Sequence, residues 1–239
     1  MKKRYNFFVL NPNEVSLWRA VLAITEEQIS EFLAVLSPDE ILRANRFKFP
    51  IHRQRFIAAR GILRCILSYY LSMEPELIEF SYTEHGKPFI ADSDVEFNLS
   101  HSSDMAVYAI AKKILIGVDI EKIKSTYEDG VAKRYFSEKE YAELNEVPFA
   151  LKTKAFYQIW ASKEAVIKAM GLGISYSLNS FSVPVKASQK VFELQLEHTK
   201  WSLQTFTAHP EYASAFVTQQ TVEKVIYWEW TLVGPQIWK

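Results

Sequence analysis

The sequence has few of the residues and motifs that mark the large ligand-binding classes. Cys65 is the one cysteine among 239 residues, which excludes an internal disulfide framework and a CxxC metal site. The phosphate-binding motifs GxxxxGK(S/T) and GxGxxG are absent, as are the hydrolase motifs HExxH and GxSxG. No motif therefore assigns the chain to the common nucleotide-binding or hydrolase classes.

The sequence also lacks net charge and long hydrophobic runs. Twenty-eight basic residues balance 28 acidic ones, so general attraction to nucleic acid or membrane is not expected, and charge-driven binding must come from local clusters. No run approaches the roughly 18 apolar residues of a membrane span. The apolar run at 7–10 is too short for a signal-peptide core. We expect a cytoplasmic protein with no nucleic-acid or membrane partner.

Apolar residues make up 49% of the chain, which allows a substantial core in one large domain or two smaller ones. Capping signals predict that helices begin at Thr25, Ser37 and Ser137. Hydrophobic periodicity predicts further helices over 51–72, Val131–Tyr135 and Thr153–Met170. Alternating or β-branched runs predict strands at Phe7–Leu10, Val15–Val21, Phe80–Thr83, Glu96–Leu99, Met105–Ala111, Ile114–Ile120, Phe181–Val183, Val191–Leu196, Trp201–Thr207, Tyr212–Thr218 and Lys224–Leu232.

Lys112 and Lys113 lie between two of these strands, so Met105–Ala111 and Ile114–Ile120 are expected to form an antiparallel hairpin. The strands after residue 181 are also expected to be antiparallel. Helices and short strands recur along the chain without a low-complexity linker, which predicts an α+β fold. Two similar α/β halves, 1–112 and 113–239, agree with this pattern, although no convincing sequence repeat establishes them.

The stretch IGVDIEKI places two acids inside an apolar, β-branched run. Residues two apart in a strand point to the same face, so Asp119 and Glu121 would project together, about 6–7 Å apart at the backbone. A hard divalent cation with oxygen ligands would relieve the repulsion between them. The alternative is a strand end with two solvated acids, paired with Lys122 or Lys124.

The stretch WASKEAVIK carries an acid and a base on one side of a predicted helix. Trp160, Glu164 and Lys168 are spaced i, i+4 and i+8. Glu164 could be a third carboxylate ligand, and Lys168 could meet a phosphate group as a point charge. The alternative is an exposed Glu–Lys pair worth about 0.3–0.5 kcal/mol.

The stretch 41–73 contains no acid and several bases, which are Arg43, Arg46, Lys48, Arg53, Arg55, Arg60 and Arg64. This bias suits a ligand with several phosphate groups, because arginine binds phosphate through a bidentate fork. The alternatives are pairing with acids elsewhere in the chain or a nucleic-acid patch.

Two further segments carry candidate phosphate contacts. Gly86-Lys87-Pro88 has the composition of a turn that presents Lys87. His101 follows a strand and is flanked by Ser100, Ser102 and Ser103, a group of small hydroxyl residues that could hold a phosphate. A lone histidine beside a strand is more often structural, so both interpretations stay open.

The order GKPFI, FNLSHS, GVDIE, FSEKEY and WASKEAVIK resembles the 4′-phosphopantetheinyl transferases. The similarity is to the larger, monomeric type with two similar halves, typified by the enzyme that activates surfactin synthetase, and it extends from about Arg43 to Phe181. The resemblance implies two α/β halves related by a pseudo-two-fold, each a small, mainly antiparallel sheet packed with helices, with the active site at their interface.

The resemblance implies transfer of 4′-phosphopantetheine from coenzyme A to a serine of an apo acyl or peptidyl carrier protein, with release of adenosine 3′,5′-bisphosphate. Asp119, Glu121 and Glu164 would be the ligands of Mg²⁺, for which Mn²⁺ could substitute. Mg²⁺ prefers a few carboxylates together with substrate phosphate oxygens and water, so this set is chemically sensible.

By the same resemblance, coenzyme A would be bound by Lys87, Ser100, His101, Arg43 and either Arg55 or Arg60, with His101 at the 3′-phosphate. Lys163 and Lys168 would stabilise pyrophosphate charge, and Lys168 could protonate the leaving group. The chain departs from some relatives at Glu40, where they have a lysine.

A base must accept the proton of the carrier serine, and Glu164, acting directly or through a water, is the first candidate before Glu140. The carrier is expected to dock near exposed apolar and basic residues of Phe136–Tyr141. The competing classes are a metal-dependent hydrolase of coenzyme A, which would ignore carrier protein, and a coenzyme A-binding protein with a decayed site.

Overall fold

The computed structural model describes residues 8–173, 176–186 and 191–238. Its α-helices are α1 (Glu26–Val35), α2 (Pro38–Ala44), α3 (Pro50–Leu71), α4 (Asp129–Tyr135), α5 (Glu138–Glu146) and α6 (Phe149–Met170). Each predicted helix is present, and α6 begins four residues before the predicted Thr153. The predicted capping boxes at Thr25 and Ser137 are also present, with each hydroxyl accepting the amide three residues on.

The strands are β1 (Glu14–Val21), β2 (Ser81–Tyr82), β3 (Pro88–Phe89), β4 (Val95–Ser102), β5 (Met105–Lys112), β6 (Ile116–Lys122), β7 (Phe192–Leu196), β8 (Thr199–Phe206), β9 (Tyr212–Thr218), β10 (Lys224–Thr231) and β11 (Gly234–Ile237). They form one sheet in the order β11-β10-β1-β5-β4, a second in the order β6-β9-β8-β7, and a short β2–β3 ribbon. The α+β prediction is confirmed.

The predicted hairpin of Met105–Ala111 with Ile114–Ile120 is wrong. β5 pairs with β1 and β4 in the first sheet, whereas β6 pairs with β9 in the second. The residues of β5 are buried almost throughout, as expected of a central strand with a partner on each side. The turn at Lys112 and Lys113 therefore carries the chain from one sheet to the other.

Three other strand predictions need correction. Phe181–Val183 and residues 8–10 lie outside strands, and Phe7 lies outside the described residues. β10 pairs antiparallel with β11, as predicted, but its other neighbour is β1, to which it is parallel with Trp18 opposite Trp228, and it does not lie beside β9. The chain thus returns to the first sheet at residue 224. The two sheets therefore do not coincide with the predicted halves 1–112 and 113–239, and the division into those halves stays a prediction.

The alternation of β6 determines where its acids point. Ile116, Val118 and Ile120 belong to the hydrophobic core between the two sheets, where they meet residues of β1 and β5. Side chains two apart share a face, so Gly117, Asp119 and Glu121 point to the other side, against which α6 packs. The β-branched run therefore explains both the burial of this strand and the common direction of its two acids.

A buried ion pair recurs about 100 residues apart in the chain. Glu40 accepts the amide of Ser37 and pairs with Arg64, while Glu140 accepts the amide of Ser137 and pairs with Lys163, at 2.6 and 2.7 Å. Each cation also donates to two carbonyls around a 3₁₀ turn, and these are Pro75 and Ile78 for the first and Leu178 and Phe181 for the second. This repeat supports two related halves that the sequence alone did not establish.

No described helix is both long enough and apolar enough to cross a membrane.

Candidate active site

The site is built where α6 lies directly on β6. A Cβ atom added to Gly117 would come within 2.2 Å of the Ala165 carbonyl oxygen and 2.3 Å of the Ala169 nitrogen. The absence of a side chain at Gly117, opposite two alanines, lets the backbones approach closely. Glu164 and Lys168, on the same helix, are thereby brought to the acids of β6.

Asp119 is the buried centre of this group, with 2% of its surface exposed. Its Oδ1 accepts hydrogen bonds from the Ser100 hydroxyl at 2.7 Å and from the Lys168 ammonium at 2.5 Å. Its Oδ2 is buried without any partner. Burial raises the pKa of Asp119, and the neighbouring Lys168 ammonium opposes that shift. A buried oxygen without a donor is costly, and it is a position at which a cation would be favourable.

Glu121 and Glu164 complete a set of three interacting carboxylates. Burial, and then the charge of Asp119, raise the pKa of Glu121 to about 7. Burial and the charge of Asp119 also raise the pKa of Glu164, while Lys168 lowers it. Burial is the first cause of each of these shifts, and repulsion from Asp119 adds to it at Glu121 and Glu164, so the three acids interact closely enough to affect one another's ionisation.

Alternate residues of β4 join the two sheets at the site. Asn98 accepts the amide of Val118, Ser100 donates to Asp119, and Ser102 donates to the Glu121 carboxylate at 3.0 Å. The Ser102 hydroxyl also accepts the amide of Lys122. The FNLSHS segment thus orients both acids of β6 through hydroxyl groups spaced two residues apart.

Two cavities meet at the turn that carries Gly86. One, of about 240 Å³, is lined by Lys87, Asn98, Glu164 and Lys168, among others. The other, of about 370 Å³, is lined by Asp39, Leu42, Arg43, Arg46, Tyr82 and Gly86. The carboxylate site and an arginine-lined hollow are therefore neighbours, as an elongated polyanionic ligand would require.

The donor set suits a hard divalent cation, because it consists of carboxylates and hydroxyls. Within the described residues, no three acid, histidine or cysteine side chains are already grouped to hold a metal ion. The Lys168 ammonium occupies one oxygen of Asp119 instead. The fit to a metal therefore rests on the unpartnered Oδ2 and on the chemistry of the three acids.

The structure brings together five of the predicted residues, which are Asp119, Glu121, Glu164, Lys168 and Ser100. Lys87 lines the same cavity, but its ammonium donates to the carbonyls of Ile116 and Ala169, and burial lowers its pKa to about 8. His101 follows Ser100 and lies on the opposite face of β4. Desolvation, and then the charges of Lys168, Arg55 and His52, lower the pKa of His101.

The predicted roles of Lys163 and Glu140 need correction. Lys163 is fully buried, and its three donors go to Glu140, Leu178 and Phe181. The carboxylate of Glu140 is occupied by this lysine and by the amides of Ser137 and Val183. Lys163 therefore has no free donor for a pyrophosphate, and Glu140 has no free oxygen to act as a base.

Arg60 and Phe136 also need correction, whereas the role of Arg55 stays a prediction. Arg60 is buried against Glu40 at 2.6 Å and donates to the Tyr82 hydroxyl, so a direct phosphate contact would have to break a buried pair. Arg55 is paired with Asp104 at 2.7 Å at the turn after β4. Phe136, expected on an exposed docking surface, belongs to the core with 3% exposure.

Comparison with known proteins decides the family. The profile of the 4′-phosphopantetheinyl transferase superfamily matches residues 115–217, and that of the 4′-phosphopantetheinyl transferase N-terminal region matches 18–113. The transferase HetI of Nostoc sp. is 45% identical over 168 residues, covering 68% of this chain and 71% of the relative. The transferase Sfp of Bacillus subtilis is 33% identical over 194 residues, covering 80% and 86%.

The chain belongs to the 4′-phosphopantetheinyl transferase family.

In this transferase, the sequence analysis missed Asn98 and Gly117, and it gave Ser102 a possible phosphate contact rather than the contact with Glu121. Ser102 and Asn98 share the alternation of FNLSHS with Ser100, and that period of two is the signal that could have identified them. Gly117 stands immediately before the VDIE segment, but its importance depends on the approach of α6, which is remote in sequence.

Proposed function

We propose that this enzyme transfers the 4′-phosphopantetheine group from coenzyme A to a serine of an apo acyl or peptidyl carrier protein and releases adenosine 3′,5′-bisphosphate. The observation that carries the proposal is the buried Asp119 carboxylate. One of its oxygens is held by Ser100 and Lys168, and the other lacks a partner beside Glu121 and Glu164. The adjoining cavities at Gly86 supply room for a polyanionic substrate.

Asp119, Glu121 and Glu164 would hold Mg²⁺, or Mn²⁺ in its place. When bound, the metal supplies positive charge to the pyrophosphate of coenzyme A. Ser100 and Ser102 orient two of the three carboxylates through their hydroxyl groups. Lys87 and Arg43 line the two cavities that meet at Gly86, one on each side of that turn.

The transfer is a displacement at the phosphorus atom attached to pantetheine. A new bond forms from the serine oxygen to this phosphorus, and the bond to the oxygen bridging the two phosphates breaks. Glu164 accepts the serine proton, directly or through a water, and Lys168 stabilises or protonates the leaving adenosine 3′,5′-bisphosphate. Lys168 can turn to this role because its ammonium is part-exposed beside Asp119.

The test is to incubate the protein with coenzyme A, Mg²⁺ and an apo carrier protein and to weigh the carrier by mass spectrometry. We expect a gain of one phosphopantetheine group that disappears with EDTA, with a carrier whose serine is replaced by alanine, and with Asp119→Ala. Asp94→Asn, at an exposed acid paired with Lys113, is the matched control. Hydrolysis of coenzyme A with no modified fatty acid, polyketide or peptide carrier would overturn the proposal in favour of a hydrolase.

The proposal includes action as a monomer in the cytoplasm, without nucleic acid or membrane. The balanced charge of the chain, which provides no general attraction to polyanions, supports the part of the proposal that concerns nucleic acid and membrane.

A further inference from the structure

The two sheets meet at the edge strands β4 and β6, which are joined through side chains. Within the described residues, no main-chain hydrogen bond connects these two strands. The Asn98 amide oxygen accepts the main-chain amide of Val118 at 2.9 Å. The Ser102 hydroxyl accepts the main-chain amide of Lys122 at 3.1 Å. We call these two contacts the β4–β6 seam, and they supply the acceptors that the amides at the edge of β6 need.

The β4–β6 seam does not require an asparagine at position 98. In each contact the accepting side chain lies 20 residues before the donating amide, so the two contacts occupy equivalent positions along the strands. A serine hydroxyl is sufficient for the second contact. The atom that asparagine adds at the first is its amino group, Nδ2, and the pairing of β4 with β6 gives that group no role.

The amino group of Asn98 has a fixed direction and no acceptor among the described residues. Only the oxygen of the side-chain amide can accept the N–H of Val118, so the seam prevents the amide from flipping. Asn98 is 4% exposed and lines the cavity of about 240 Å³ together with Glu164 and Lys168. With its oxygen directed at β6, its amino group is the polar group left to face that cavity. An unpaired donor in so buried a side chain is costly unless a ligand accepts from it.

The other strong donors of this cavity already have acceptors. The Lys87 ammonium donates to two main-chain carbonyls, and the Lys168 ammonium donates to Ser100 and Asp119. Asn98 and Ser100 share one face of β4 and are about 6–7 Å apart along the strand. The amino group of Asn98 therefore stands beside the carboxylate site with two N–H donors to offer. A negatively charged ligand oxygen is the acceptor that would bind these donors most strongly.

We propose that the Asn98 amino group binds an oxygen of the coenzyme A pyrophosphate and holds it beside the carboxylate site. The inference rests on the proposed function, which places the pyrophosphate at Asp119, Glu164 and Lys168. One amide then connects the substrate to β6, because its oxygen holds the amide of Val118, the residue before Asp119. Asn98 is thus a substrate-binding residue that fixes the phosphate relative to the carboxylates.

The test uses Asn98→Ser, which keeps a hydroxyl for the Val118 amide but removes the amino group. Asn145→Ser is the matched control, at an exposed asparagine whose oxygen accepts from Lys152. Calorimetry with coenzyme A and saturating Mg²⁺, without carrier protein, measures binding in the absence of turnover. We expect the Kd for coenzyme A to rise about 10-fold or more in Asn98→Ser, because a hydrogen bond to a charged group is lost. The control should match the wild type.

Inorganic pyrophosphate identifies the group that Asn98 contacts, because it contains neither purine nor pantetheine. In titrations where it displaces coenzyme A, its Kd should rise in Asn98→Ser by the same factor as that of coenzyme A. The Mn²⁺ affinity of the free enzyme should stay within about twofold of wild type, since the contact with β6 is kept. With an apo acyl carrier protein, the KM for coenzyme A should rise and the KM for the carrier should not.

Asn98→Asp is the second variant and replaces Asn98→Ser if urea unfolding shows that the serine variant does not fold. Aspartate keeps the shape of the side chain and an oxygen for the Val118 amide, but it presents an acidic oxygen where the amino group was. Repulsion is then added to the lost hydrogen bond, so coenzyme A and pyrophosphate should both bind more weakly than in Asn98→Ser.

A Kd for coenzyme A within twofold of wild type in the folded Asn98 variants would overturn the inference. Weaker binding of coenzyme A with unchanged binding of pyrophosphate would also overturn it, by assigning the amino group to another part of the coenzyme. Loss of Mn²⁺ affinity with unchanged coenzyme A binding would do the same, by assigning the amino group to Glu164. A wild-type protein that binds coenzyme A but modifies no carrier would instead overturn the proposed function, so the two failures are distinguishable.

Discussion

Ser102 acts on Glu121 in the same way that Ser100 acts on Asp119. Its hydroxyl donates to one Glu121 oxygen and accepts the Lys122 amide, so it fixes both the acid and the local backbone. Residues that orient metal ligands commonly change metal affinity by about 10–100-fold when removed. Ser102 is therefore a positioning residue whose loss should affect the metal more than the chemistry.

We expect Ser102→Ala to raise the Mg²⁺ concentration for half-maximal transfer about 10-fold, with kcat at saturating Mg²⁺ nearly retained. Mn²⁺ titration of the free enzyme gives a readout that does not depend on turnover. Ser102→Thr keeps the hydroxyl and should restore most of the affinity. Equal Mn²⁺ affinity in wild type and Ser102→Ala would contradict this role.

Lys87 offers a pH-dependent test at the level of one residue. Burial lowers its pKa from 10.5 to about 8 in the folded protein, so the folded state loses the proton before the unfolded state does. The penalty of holding the charged form is complete below about pH 8 and fades as pH rises toward 10.5. The difference between the pKa values of Lys87 in the unfolded and folded states corresponds to at most about 3 kcal/mol in the free energy of unfolding.

The free energy of unfolding of wild type relative to Lys87→Met should therefore increase between pH 7 and pH 9.5. Urea titrations at both values measure it, and Lys113→Met, at an exposed lysine, is the control. If the free energies of unfolding of wild type and Lys87→Met differ by the same amount at both pH values, burial does not oppose the charge of Lys87.

At the scale of elements, the packing of α6 on β6 decides whether a site exists. Gly117→Ala would place a methyl group against the backbone of α6 at Ala165 and Ala169, and the helix must move away. We expect a loss of about 1–3 kcal/mol in the free energy of unfolding, together with a large fall in transfer activity.

Gly130→Ala provides the comparison, because a Cβ at that position of α4 meets nothing within 4 Å. Alanine in a helix should there stabilise by about 0.5–1 kcal/mol. Thermal and urea unfolding of the two variants should move in opposite directions. A Gly117→Ala variant with an unchanged free energy of unfolding and full activity would show that the close approach of α6 to β6 is not needed.

The buried pair of Glu140 and Lys163 connects α5, α6 and the following 3₁₀ turn. Glu140→Gln leaves the Lys163 ammonium buried without its counter-charge, which should cost about 3–5 kcal/mol. Urea unfolding measures the loss, and transfer measured at low temperature on the folded fraction should stay within about 10-fold. A 100-fold fall in kcat with unchanged stability would instead return Glu140 to the role of catalytic base.

At the scale of the whole molecule, the first sheet depends on the last strands of the chain. β10 pairs along the length of β1, and Trp228 stacks on Trp18 at 5.5 Å between ring centroids. Removing residues 222–239 would expose that edge of β1 and part of the core around Trp18. We expect the shortened chain to lose its cooperative unfolding transition.

Removal of residues 233–239 alone is the matched comparison, because it deletes the edge strand β11 and Trp238, which packs on Tyr227, but leaves the pairing of β10 with β1. This variant should keep a cooperative transition and the near-ultraviolet circular dichroism of the buried tryptophans. A cooperative, active chain ending at residue 221 would show that the first sheet does not need β10.

The helices and the common direction of Asp119 and Glu121 could be predicted because their signals are local, whereas Glu164 was assigned through the family resemblance. Capping boxes at Thr25 and Ser137 and the period of two at Asp119 and Glu121 involve neighbouring residues. The partners of strands could not be predicted in the same way. β5 and β10 have sequence patterns that fit several neighbours, and their pairing is decided by which sheet can bury both faces.

The corrected residues show the same limit. Lys163 and Glu164 are adjacent in sequence, but successive side chains of a helix point about 100° apart. Lys163 therefore pairs with the buried Glu140, whereas Glu164 faces Asp119. Arg43 and Arg60 belong to one basic stretch, yet Arg60 is paired with Glu40 and Arg43 lines a cavity. Charge counts along the chain cannot separate paired from unpaired cations.

The sequence by itself determined the α+β class and the pairing of Asp119 with Glu121, because short periods involve neighbouring residues, and its motif order resembles a family in which Glu164 and Lys168 join these acids. The tertiary structure alone decided the path between the sheets, the hydroxyl contacts of β4 and which arginines of the acid-free stretch are paired with acids. Those features depend on which distant residues meet, and burial of apolar surface selects these contacts over the whole chain at once.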